Sequence, residues 1–412
     1  MRALTRIALI AAALLGGCGR GTHGPIEASL IGDPARAPAD AFATTTGLVR
    51  LDCEGQVIPA AAARWAILDD GLDYIFRIDD AAGIGAHGVA RSLRTAVRRA
   101  RGTPTAALLA PIESIAAVTA TVVEIRLAAP QPDLLVLLAR PEFAVGAAGP
   151  LRDVRRTPDG VLLHARAVDD RPSPPVLLRT EPAGRAVARF VAGRATVVLG
   201  GGFADLAVAR AGRLRRGELR FDPVTGLFGF AVRDAAGPAG DARLREALAL
   251  AIDRDRIVGL LGAPGQAKAT TLAGSAIEPS LAERRATAGA LLTGRDLPSP
   301  LRIAMPQGPG AQLLFALVAQ DWRRIGISAT MVAADRPADL ALVDMVAPPG
   351  ALAPLACAIS AGCDPRDRLA LIAPPFIPLS APVRWSLVAR GLDGFVENAQ
   401  AAHPLDQLHT GS

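Results

Sequence analysis

The stretch that most constrains this chain is residues 241–261, DARLREALALAIDRDRIVGLL. Leu244, Ala247, Leu248, Ala251 and Ile252 recur at helical spacing and make one apolar stripe, with Arg243, Arg245 and Glu246 off it. Asp241 is placed to cap that helix. Asp253 closes it and can cap a second, whose inner face is Ile257, Val258 and Leu261. Periodicity alone therefore demands a core on which an amphipathic helix pair packs.

The chain is long enough to supply that core more than once. Its 412 residues exceed the roughly 100–200 that one domain uses, and 50% hydrophobic against 20% charged residues is a globular balance. A net charge of +6 invites a nucleic-acid partner. The cations argue against one: they are almost all arginine, Lys268 being the sole lysine, and they are scattered among acids. The densest runs, Arg98, Arg99 and Arg101, then Arg213, Arg215, Arg216 and Arg220, read as solvated faces. With 4% aromatics there is no base-stacking platform either.

The N-terminus points to a compartment. Arg2 and Arg6 precede an apolar run at 7–15, far short of the about 20 residues that span a bilayer. Leu15-Gly16-Gly17-Cys18 follows and resembles a bacterial lipobox, so residues 1–18 are expected to be a lipoprotein signal peptide with Cys18 lipidated. A plain cleavable signal with Cys18 incidental is the alternative. Residues 19–25 then form a tether. In an oxidising periplasm the close pair Cys357 and Cys363 could form a disulfide. Cys53 is left over and reads as a small buried apolar residue. No C-x-x-C and no histidine near these cysteines supports a zinc site.

Six stretches of wording go further. Residues 241–261 resemble the "R-x-A-L-x-x-A-I-D-R-x-x-I-V" signature of the family 5 extracytoplasmic solute-binding proteins of ABC importers. Residues 47–78 resemble that family's "G-L-V-x-x-D-x-x-G-x-x-x-P" and "W-x-x-x-x-D-G-L-x-Y-x-F" segment through Gly47, Leu48, Val49, Asp52, Gly55, Pro59, Trp65, Asp70, Gly71, Leu72, Tyr74 and Phe76. Within it, Asp69-Asp70-Gly71 reads as a hairpin turn with glycine at the left-handed position. Residues 112–127 resemble its next hairpin, with Val118, Val122, Ile125 and Leu127 on the apolar face. Later, 326–332, 374–379 and 383–395 resemble the family's "I-G-I-x-V", "A-P-x-I-P-L" and "V-x-G-F" steps. Two regions are short against the pattern: the loop at 79–88, and the roughly 30 Ala- and Pro-rich residues after 345.

The resemblance implies an α/β chain with a two-lobed, type II-like periplasmic-binding-protein fold and an extra small subdomain in lobe one. Lobe one is expected from 26–50, 146–232 and 376–412, the accessory subdomain from 51–145, and lobe two from 233–375. Residues 226–232 should be one of two crossings between lobes. The interlobe cleft is then lined by Gly200, Gly201, Gly202, Phe203, Thr225, Phe228, Asp344 and Met345. Phe203 and Phe228 would meet apolar side chains, and Asp344 an amine. The implied partners are a peptide or other small solute, the importer's permease and ATPase, and a membrane reached through the lipid anchor. No cofactor and no metal is implied.

Catalytic wording is missing from the sequence. It has no G-x-S-x-G elbow, no H-E-x-x-H and no P-loop lysine beside the glycine triplet. The acid pairs Asp69-Asp70, Asp79-Asp80 and Asp169-Asp170 read as turn formers. A binding protein, not an enzyme, is the expected class. The alternative is a degenerate relative that acts as an envelope interaction protein, motivated by the two short regions.

Overall fold

The structure, a computed structural model, describes residues 24–33, 45–101, 103–165, 174–266, 268–272, 278–295, 300–364 and 367–410. The signal peptide, Cys18, most of the tether, and Asp169-Asp170 lie outside them.

Two large sheets carry the chain. The first has seven strands, in the order Leu151–Thr157, Gly160–Ala165, Val176–Glu181, Ile26–Ile31, Val197–Gly202, Arg384–Val388 and Leu219–Phe221. Ile26–Ile31 runs parallel to both its neighbours, and Arg384–Val388 antiparallel to both of its own. The second sheet has five strands, ordered Ala329–Ala333, Leu301–Met305, Leu340–Val346, Gly226–Val232 and Phe376–Ser380. Leu301–Met305 lies parallel to its two neighbours, as strands joined through helical crossovers do.

Gly226–Val232 (GLFGFAV) is apolar throughout because both faces of its sheet are covered. Phe228, Phe230 and Val232 point into a core shared with the helices Ala242–Ala251, Arg254–Leu261, Leu281–Leu292 and Pro309–Arg323. Leu227 and Ala231 point the other way, towards the helix Leu352–Ile359.

A third, four-stranded sheet forms the accessory subdomain, ordered Ala62–Leu68, Asp73–Ile78, Val122–Leu127 and Ile112–Ala117. The helix Ala86–Ala100 lays Val89, Ala90 and Leu93 against Tyr74, Phe76, Val123 and Ile125. Trp65 is partly buried on this core. Between the first two strands, Asp69 and Asp70 take the left-handed conformation as well as Gly71 (φ 49°, 53° and 92°), so three residues share the strain expected of the glycine alone. Val118 departs from expectation too. It sits in the 118–121 turn and is 58% exposed, because the apolar alternation ends with the strand at Ala117.

The helix pair forms where its sequence pattern put it. The Asp241 carboxylate accepts from the Arg243 amide at 2.9 Å and that of Asp253 from the Arg256 amide at 3.0 Å. Between them Arg254 is 2% exposed. It donates to the Ala249 carbonyl at 2.9 Å, near the end of the first helix, and to Pro378 at 3.0 Å in the strand beyond. Arg284 and Arg285 satisfy the carbonyls of Leu250, Ala251 and Ile252. Arginine forks thus close a helix end that would otherwise be buried unpaired.

Sheet membership moves the lobe boundaries. Gly226–Val232 pairs only with second-sheet strands, so the chain leaves lobe one at 222–225 and not at 232. Phe376–Ser380 pairs there too, which places the return at 381–383 and not at 376. Leu48 and Val49 pack in the accessory core, beyond the edge at residue 51 drawn from the sequence.

Candidate functional site

Between the two crossings the lobes face each other, and the eight expected cleft residues divide into two groups. Phe203 and Phe228 come together from opposite lobes, ring centroids 4.9 Å apart in an edge-to-face pair, and are 2% and 1% exposed. They are buried residues that pack the lobes against each other in this arrangement. Thr225 donates its hydroxyl to the Ala347 carbonyl at 2.9 Å and braces the crossing. The glycine triplet serves packing: Gly200 is left-handed (φ 82°) where the strand register shifts, and a side chain on Gly201 would enter the Trp385 indole. Trp385 in turn donates to the Gly202 carbonyl at 2.8 Å.

Asp344 and Met345 do reach open space. They border a cavity of about 560 Å³ bounded by the accessory subdomain, the second sheet and the C-terminal segment 400–406. Arg384 of the first sheet donates to the Asp344 carboxylate at 2.8 Å, through one of its two oxygens, and to its carbonyl at 3.3 Å. Burial pushes the Asp344 carboxyl above its ordinary value, while the Arg384 guanidinium pulls it back. On the same walls Arg50 pairs with Asp406 at 2.9 Å, and Arg140 reaches the Val346 carbonyl at 3.4 Å.

His403 borders the cavity as well. Its Nε2 lies 3.1 Å from Asp222, the first residue of the outward crossing, and its ring stacks on Phe395 with centroids 4.3 Å apart. Its Nδ1 is buried without a hydrogen-bond partner among the described residues. Asn398 ties the same segment down, its amide N–H donating to Asp222 at 3.0 Å and its side chain to the carbonyls of Cys53 and Ala402. None of Arg384, His403 or Arg140 was singled out from sequence.

Cys357 and Cys363 are disulfide-bonded, their Cα atoms 5.2 Å apart. Cys53 is half-buried, not buried as its apolar reading required, because its backbone is held at the surface by Gln407 and Asn398. Among the described residues there is no cluster of three or more metal-ligating side chains, and no helix is long and apolar enough to cross a membrane.

No protein-family model matches the sequence, and no curated protein matches it. Solved structures do. The Escherichia coli murein tripeptide binding protein MppA superposes with a TM-score of 0.74 at 17% identity, over 95% of this chain and 99% of that one. Haemophilus influenzae OppA, solved with the peptide RPPGFSPFR, gives 0.73 at 16% identity, over 94% and 99%. Campylobacter jejuni NikZ, solved with Ni(L-His), gives 0.66 at 15%, over 93% and 99%. These neighbours are binding proteins. The chain has the two-lobed α/β fold of the family 5 solute-binding proteins.

Proposed function

We propose that this chain is the extracytoplasmic solute-binding component of an ABC importer and holds a short peptide in the cavity between its lobes. The observation that carries the reading is that half-open cleft of about 560 Å³, walled by three structural units and bordered by a few polar groups. Ligand sites of about 300–1,000 Å³ have this construction. Met345 supplies apolar surface, and Arg140, Glu142 and His403 supply polar edges. The solute passes to a membrane permease driven by an ATPase. The protein acts in the periplasm, held by lipid on Cys18, and catalyses no reaction.

Native mass spectrometry of the purified chain tests this. A retained solute would appear as a mass increment that is lost on denaturation. Met345→Trp, which fills the cavity, should abolish the increment while the fold persists.

A second reading has its own observation. Phe203–Phe228 and Arg384–Asp344 occupy positions where open cleft surface was expected. A chain whose lobes are joined in this way could serve as an envelope interaction protein with no solute. That reading gains if the mass increment is absent and the wild-type chain instead retains a protein partner.

A further inference from the structure

The contacts that join the lobes are made by the protein itself, and one of them stands in the cavity wall. Arg384 begins the strand that re-enters lobe one, immediately after the 381–383 crossing. Asp344 lies near the end of Leu340–Val346 in lobe two. The guanidinium grips both the carboxylate and the main-chain carbonyl of Asp344, and also the carbonyl of Val383, at 2.8 Å, 3.3 Å and 2.8 Å. Gly202 lies alongside this grip, its position 3.7 Å from the Asp344 carboxylate and 4.0 Å from the guanidinium when measured from where a Cβ would stand. Farther along the same interface Arg210 of lobe one donates to the carbonyls of Leu260 and Leu261, which end a lobe-two helix. Gly310 lets the first turn of Pro309–Arg323 approach the carbonyl of Phe203, where a side chain would come within 2.2 Å.

From this geometry we infer that Arg384–Asp344 is an interlobe clasp that closes the two lobes without help from a solute. The ion pair links the two lobes directly and so favours the arrangement in which they meet. Half-buried, with both side chains 21% exposed, it is less screened than a surface pair. The dry Phe203–Phe228 contact lies beside it and adds apolar closure that also needs no ligand. A lobe pair built this way rests closed, and exchange of any occupant waits on release of the clasp.

Small-angle scattering and hydrogen exchange on the full chain, with solute removed by unfolding and refolding, test this. Wild type should give the radius of gyration of the closed form. Arg384→Met should enlarge it and speed amide exchange across 344–347 at least tenfold, leaving Ile26–Ile31 unchanged. Should Arg384→Met fail to fold, Arg384→Lys keeps the charge, gives up the two-point grip, and should show the same change in smaller degree. The reversed pair, Arg384→Asp with Asp344→Arg, should bring exchange back towards the wild-type rate. An open wild-type radius would overturn the inference, as would folded variants with unchanged radius and exchange. A solute-free chain found closed by scattering leaves the binding proposal standing on its own test.

Discussion

At the scale of single residues, charge is spent on main-chain carbonyls and on bridging elements. Burial holds the Arg254 pKa down to about 10, and neighbouring Arg284 adds to the effect, yet its fork serves two elements at once. Arg254→Met should cost about 2–4 kcal/mol in denaturant unfolding, because two buried carbonyls lose a charged donor. Arg254→Lys should recover only part, an ammonium having no fork. Two aspartates should titrate in opposite directions. The Arg126 guanidinium holds the Asp73 carboxyl below its ordinary value of 3.8. Its stabilising contribution is therefore complete above that value and is lost as the pH falls through the lower, folded-state one. Asp344 is raised above its ordinary 3.8. Its ionisation is penalised in the fold, so stability falls as the pH rises from the ordinary value through the raised one. Carbon-detected NMR titration of the two carboxyls checks both signs.

At the scale of elements, much was legible because local chemistry and tertiary packing agree. Asp241 and Asp253 cap the helices they were expected to cap, and the Leu244–Leu248 stripe faces the core. The cleft was not legible, since a buried strand that is apolar on both faces gives no sign of which side meets solute. Nor does it show that Phe228 packs on Phe203 from the opposite lobe. The crossings were misplaced by a few residues for a similar reason: which sheet a strand joins is settled by pairing far away in sequence. Phe228→Ala should accordingly destabilise by about 3–5 kcal/mol, as core truncations do. The short region after 345 proved to be an element of its own. Its helix Leu352–Ile359 buries Leu355 and Ile359 in a core shared with Leu108 and Leu109 of the accessory subdomain, and the disulfide holds its end. Replacing both Cys357 and Cys363 by serine should cost about 2–3 kcal/mol, the loop-closure value for a link spanning 6 positions. Calorimetry of the oxidised and double-serine chains measures it.

At the scale of the whole molecule, lobe two is held on both sides. One face of its sheet shares a core with lobe one and the other with the accessory subdomain. The cavity is left at the junction of all three units, with the C-terminal segment as a wall pinned to the crossing through Asp222 and His403. Solute binding there would stabilise every unit together. The most direct measurement is a thermal-shift titration of the wild-type chain and of Met345→Trp against di- to pentapeptides. If the cavity holds a peptide, a ligand at 100 times its Kd should stabilise the wild type by about 2.7 kcal/mol and leave the filled variant unmoved. A flat wild-type response across peptides, metal chelates and sugars, or an equal shift in both chains, would contradict it.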